Sequence, residues 1–148
     1  MNLTDHFTLE RLTHSDYAVR NNIDNTPNAD QIENLKTLAQ TMERVQKLLG
    51  GEIHVNSGYR CLKLNAALKG SQNPPSAHLE GYAADFTCPS FGTPLEICTA
   101  ISKNRIPFDQ LILEFGAWTH ISVNPRMRQE VLTAHFTNGK ATYTMGLA

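Results

Sequence analysis

No apolar run in these 148 residues approaches the roughly 20 positions needed to cross a bilayer, so membrane insertion is not expected. Basic residues are not in excess. Thirteen Lys and Arg stand against 14 Asp and Glu, for a net charge of -1, and no basic stripe is available to neutralise nucleic-acid phosphates. Cys61, Cys88 and Cys98 are odd in number, lack metal-type spacing and read as free thiols in a reducing compartment. Met1 to His6 shows no basic stretch followed by an apolar one, so the expectation is synthesis in the cytoplasm without a secretory signal. There is no internal repeat and no low-complexity segment. A serine hydrolase would need a nucleophile elbow, which is missing, and the thiols have no context for a cysteine nucleophile.

What is present is an ordinary globular composition, 41% hydrophobic and 18% charged, and residues 1–148 read as a single domain. A short helix is expected from Thr8, followed by a polar connection to Arg20 and a loop over 21–28. Thr26-Pro27 reads as the cap and first turn of the longest helix. Ile32, Leu35, Leu38, Met42, Val45 and Leu49 recur at three and four, and Gly50-Gly51 closes the helix. Ile53 to Ser57 alternates as a half-buried strand, with His54 on the polar phase. Leu62 to Leu68 fits a short helix packed by Leu62, Leu64, Ala67 and Leu68, and Gly70 to Pro75 a loop. Thr93-Pro94-Leu95-Glu96 carries a capping box and starts a helix ending near Asn104. Gln110 to Phe115 and Thr119 to Val123 read as antiparallel strands, and Val131 to Phe136 with Ala141 to Tyr143 as a hairpin about Asn138-Gly139. The predicted class is α+β: a small, mostly antiparallel sheet flanked by helices.

Ser76 to Phe86 is the stretch the other elements serve. His78 lies seven positions before Asp85, and Asp85 sits in the apolar run Tyr82 to Thr87. A carboxylate in a buried strand is costly unless a cation or several donors compensate it. Trp118-Thr119-His120 adds a second histidine on another strand-like run. Two imidazoles and a carboxylate make the three-ligand set of a catalytic zinc site, with the fourth position left to water. The plainer alternative, Asp85 as a hydrogen-bonded buried carboxylate, leaves the two histidines unexplained. His6, His14 and His135 carry no partner pattern.

The pattern Ser76-x-His78-x-x-Gly81-x-Ala83-x-Asp85, followed by Trp118-x-His120, resembles the zinc D-Ala-D-Ala metallopeptidases, which share a fold with the N-terminal domain of hedgehog. Phe7 to Glu10, Ser57-Gly58-Tyr59-Arg60 and Phe108 to Ile112 look like the phage and prophage endolysin branch. The resemblance implies one Zn2+ per chain and hydrolysis of peptidoglycan stem peptides. Without a signal peptide, a holin-type partner or incorporation into a virion would then have to deliver the protein to the cell wall.

One departure from that pattern matters. The resembled carboxypeptidases carry a catalytic glutamate three residues before the last histidine, and here that position is Ala117. A hairpin turning at Ala117 would set Glu114 opposite His120 with both side chains on one face, which makes Glu114 the expected general base and acid. Asp109 is second choice, since its place at the strand entrance fits a structural turn, and Glu80 is less favoured. Arg60 is the expected substrate clamp, its planar fork matching a carboxylate; from the turn alone, an arginine pairing with a helix end or turn fits as well. Ser76 is expected to support the site through its hydroxyl, to substrate or to a neighbouring side chain. Gly81 and Ala83 would keep a strand close to its neighbour, and Tyr59 and Trp118 would either line the cleft or fill the core. The competing class is a zinc-binding cell-wall or virion tail module without turnover.

Overall fold

The computed structural model describes residues 1–72 and 74–147. Asn73, inside the connection expected at Gly70 to Pro75, and Ala148 lie outside the described residues. Among the described residues five α-helices and six strands follow one another as α1 (Leu9–Thr13), α2 (Asp16–Arg20), α3 (Ala29–Leu49), β1 (His54–Ser57), α4 (Leu62–Ala67), β2 (Ala83–Thr87), α5 (Pro94–Lys103), β3 (Gln110–Glu114), β4 (Trp118–Ser122), β5 (Glu130–Thr137) and β6 (Lys140–Met145). A 3-10 turn, Ala77–Glu80, precedes β2. The strands form one sheet in the order β1-β2-β4-β3-β5-β6. All neighbours are antiparallel except β3 and β5, which run parallel, so the α+β class holds with a mixed sheet.

The long helix carries the apolar stripe read from the sequence. Leu35, Leu38, Met42 and Val45 are fully buried, each worth about 1.5–3 kcal/mol in area removed from water. They pack with Ala84, Phe86, Leu111, Leu113 and Ile121 of the sheet and with Ile97 and Ile101 of α5. The start of α3 differs from the sequence expectation. Asn28, not Thr26, is the cap, because Asn28 and Gln31 exchange side chain-to-backbone hydrogen bonds at 2.8 Å in both directions, a full capping box. Thr26 is spent on Asp24 instead. The polar stretch after α1 is also more ordered than expected: Ser15 caps α2 through Ala18 N–H. In α4 the buried pair is Leu64 and Asn65, whereas Leu62, Ala67 and Leu68, also expected to pack, are exposed.

Because paired residues share a face, the register divides the sheet cleanly. Ala84, Phe86, Leu111, Leu113 and Ile121 face the helices. Asp85, His120, Ile112 and Glu114 face the other way. Asn138 and Gly139 turn the final hairpin with φ of 52° and 76°, the positive pair a two-residue type I′ turn requires. Among the described residues no helix is long and apolar enough to cross a membrane, and all three cysteines are free thiols.

Candidate metal centre

Asp85 and His120 are direct cross-strand partners on β2 and β4, which brings Asp85 Oδ1 to 3.0 Å from His120 Nδ1. His78 arrives from the 3-10 turn, with its Nε2 3.3 Å from Asp85 Oδ2. The three residues are 3%, 5% and 7% exposed for His78, Asp85 and His120, and one ligand atom from each lies within 4.8 Å of the others. The imidazole rings meet edge to face at 5.2 Å.

The turn that delivers His78 is built by its neighbours. Ser76 caps it by accepting the His78 backbone N–H at 3.3 Å. Gly81 ends it at φ +82°, where a Cβ would lie 2.8 Å from the Gln31 carbonyl oxygen of α3. Gly81 therefore serves as a left-handed cap pressed against a helix, and not as a strand position as the sequence pattern had it. Ala83, fully buried, is the strand residue.

The polar partners set the chemistry of each ligand. His78 Nδ1 donates to the Gly58 carbonyl at 2.7 Å, which leaves Nε2 of the neutral ring as a lone pair facing the Asp85 carboxylate. Burial pushes the His78 imidazole below its ordinary value and so works against a proton there. Burial also opposes charge on Asp85; His78 and His120 hold its carboxyl below the usual carboxylate range only as proton donors, a state that burial disfavours at His78. An acceptor thus faces an anion across 3.3 Å, an arrangement that a cation between them satisfies. A tetrahedral zinc ion at about 2.0–2.1 Å from its ligands sets ligand atoms about 3.3–3.4 Å apart; each imidazole lies 3.0 or 3.3 Å from one of the two Asp85 oxygens, and one ligand atom per residue can be chosen with all three within 4.8 Å. The residues fit the ion.

Arg60 stands behind Asp85. Its Nη2 donates to Asp85 Oδ2 at 3.2 Å, its Nε to Ser57 Oγ at 2.9 Å and its Nη1 to Asn65 Oδ1 at 3.3 Å. Its backbone N–H donates to the His78 carbonyl, so Gly58 and Arg60 lace the end of β1 to the histidine turn. A Cβ at Gly58 would lie 2.2 Å from the Leu12 carbonyl oxygen, so only glycine fits. Three of the five guanidinium donors are used, which leaves two N–H groups. Sequence reasoning missed the Gly58 carbonyl, Ser57 and Asn65. The first two lie within the quoted Ser-Gly-Tyr-Arg run, while Asn65 had only its place beside Leu64 to mark it.

Glu114 ends β3 on the same face as His120, but it does not stand opposite it. The partner of His120 is Ile112, and Glu114 pairs with Trp118. Phe115 and Gly116 both take positive φ, 55° and 67°, and Ala117 N–H closes on the Glu114 carbonyl at 2.9 Å. The hairpin turns at Gly116, one residue earlier than expected, which makes Glu114 a diagonal neighbour of His120. Burial raises its carboxyl above the ordinary value, with His120, Asp85 and Arg60 acting on it electrostatically.

Asp109 is held elsewhere. Arg128 grips both its oxygens at 2.9 and 3.0 Å, and the Arg128 hydrogen bonds lower its carboxyl below the ordinary range. Glu80 is exposed. Tyr59 belongs to the core, whereas Trp118 is half-buried, its Nε1 without a hydrogen-bond partner among the described residues. His54 is exposed. His6 and His14 pair with Glu43 and Asp16 at the surface, and His135 meets Thr144.

A family model described as Peptidase M15 matches residues 5–122. That span takes in His78, Asp85, Glu114 and His120 and ends before the β5–β6 hairpin. A comparison with the curated proteins finds no match.

Proposed function

Given that the chain belongs to the Peptidase M15 family, we propose that it is a zinc-dependent peptidase that hydrolyses a peptide bond in the stem peptides of peptidoglycan. The observation that carries the reading is the buried His78, Asp85 and His120 cluster, with an imidazole lone pair turned toward a carboxylate. These three residues would hold the ion. When bound, the ion supplies Lewis acidity, polarising the scissile carbonyl and acidifying water.

Glu114 is the general base and acid of the proposal. Its carboxylate takes a proton from the attacking water and returns it to the leaving amine nitrogen, so that one water is consumed and one acid and one amine are formed. A carboxyl raised by burial holds that proton more readily than a solvated one, which suits the acid half of the task. Arg60 orients Asp85 and offers its two remaining N–H groups to a substrate oxygen. Ser76 holds the histidine turn, and its hydroxyl hydrogen is free to meet substrate. An endolysin role, with a holin-type partner or a virion bringing the protein to the wall, is part of the same proposal and rests on the resemblance to the phage branch.

The test is digestion of purified peptidoglycan by the zinc-loaded protein beside a chelated control, with products read by mass spectrometry. New chain ends that appear only with metal are the expected result, and they identify the bond cut. Intact wall with zinc still bound would overturn the peptidase reading in favour of a zinc-binding wall or tail module.

A further inference from the structure

The β5–β6 hairpin lies beyond the residues that the family model matches, yet one of its faces continues the face that bears the site. Glu114 pairs with Trp118 on one side and with Ala134 on the other, and Ala134 pairs with Tyr143. Trp118, Glu114, Ala134 and Tyr143 therefore form one row across four strands, all on the site face. Adjacent strands are about 4.8 Å apart, so Tyr143 stands two strands, roughly 10 Å of backbone, from Glu114. Only a methyl group lies between them.

Tyr143 is 55% exposed, and its hydroxyl makes no hydrogen bond among the described residues. Its phenol is held above the ordinary tyrosine value by burial and by the negative charges of Glu114 and Asp85, which places it within their field and keeps it a donor at neutral pH. The next row runs through Met145, Leu132, Ile112 and His120, so apolar side chains lead from the metal ligands toward the hairpin. A free donor at the end of an apolar approach is the composition of a ligand-binding surface.

We propose that Tyr143 is a substrate-contact residue whose phenol donates a hydrogen bond to a carbonyl or carboxylate oxygen of the bound peptide, on the far side of Glu114 from the metal ligands. The inference rests on the peptidoglycan peptidase reading. The probe is a set of soluble muropeptides released from peptidoglycan by a muramidase, titrated calorimetrically into the zinc-loaded full chain and then assayed for hydrolysis. Loss of one hydrogen bond in Tyr143→Phe should weaken binding about three- to tenfold, with the effect in KM more than in kcat and with zinc content and Tm at the wild-type values. Thr142→Val, on the opposite face of the same strand, should bind as wild type does. Muropeptides whose C-terminal residue lacks its carboxyl group separate the two acceptors: the penalty of the phenylalanine vanishes for a carboxylate and persists for a backbone carbonyl. Equal affinity for wild type and Tyr143→Phe, or an equal loss in Thr142→Val, overturns the proposal alone. A wild-type protein that neither binds nor cuts muropeptides overturns the peptidoglycan reading and takes this one with it.

Discussion

Replacing Arg60 by lysine keeps the charge behind Asp85 and removes the fork. In the native site the guanidinium reaches three separate acceptors, Ser57 Oγ, Asn65 Oδ1 and Asp85 Oδ2. An ammonium is a single point of donors, and Asp85, the only anion of the three, will hold it. Asn65 is 1% exposed, so its oxygen is left as a buried acceptor without that donor, at about 1–3 kcal/mol. Ser57 is only half-buried, and losing its bond costs about 0.5–1.5 kcal/mol. Arg60→Lys should therefore destabilise the protein by about 1.5–4.5 kcal/mol, which a domain of this size can survive. Urea unfolding of the metal-free proteins at pH 7, followed by circular dichroism, measures the difference as a shift in midpoint with the slope unchanged. A loss below about 0.5 kcal/mol, the low end of one hydrogen bond, would refute the reasoning, because it would mean that the fork does not hold Ser57 and Asn65.

The other predictions concern chemistry, backbone and charge. Glu114→Gln should retain zinc and lose roughly a hundredfold or more in kcat, as expected for a missing general base; an unchanged rate removes Glu114 from the mechanism. Gly81→Ala forces a left-handed φ on alanine and a Cβ against the Gln31 carbonyl, so it should cost more than about 1 kcal/mol and weaken zinc binding through His78, as read by thermal melts with and without metal. Asp109 has its carboxyl lowered by Arg128. It therefore contributes stability above the unfolded value of about 3.9 and loses it as pH falls through the lower folded value. The stability gap between wild type and Asp109→Asn should be full near pH 6 and shrink below about pH 4; a gap that stays constant down to pH 2 contradicts the assignment.

Two of the three residues that cluster at the candidate metal centre carry a local signal in the chain. Asp85 is a charge in an apolar strand, and His120 follows the same rule in the next run, so strand pairing alone brings them together. His78, in a polar loop, was legible only together with Asp85 and His120; the positive φ of Gly81 and its tight approach to α3, which fix the turn, were not. What could not be read was register. Gly116 announces a turn, but Phe115 also takes a left-handed φ, which no propensity of phenylalanine foretells, and that residue moves Glu114 from opposite His120 to its diagonal. The parallel pairing of β5 with β3 is a long-range choice that leaves no local pattern. The start of α3 was read at Thr26-Pro27, and the reciprocal hydrogen bonds of Asn28 and Gln31 place its cap two residues later. Asn65 and the Gly58 carbonyl act through contacts made only after folding, one holding Arg60 and the other fixing the ring of His78.

Zinc bound per chain after exhaustive dialysis, measured by elemental analysis on wild type and on His78→Ala, tests the central claim most directly. The proposed function predicts about one zinc per wild-type chain and a small fraction of that in the variant, since removing one of three protein ligands would leave too few to hold the ion. A full equivalent of zinc retained by His78→Ala would contradict the assignment of His78, Asp85 and His120 as the metal centre.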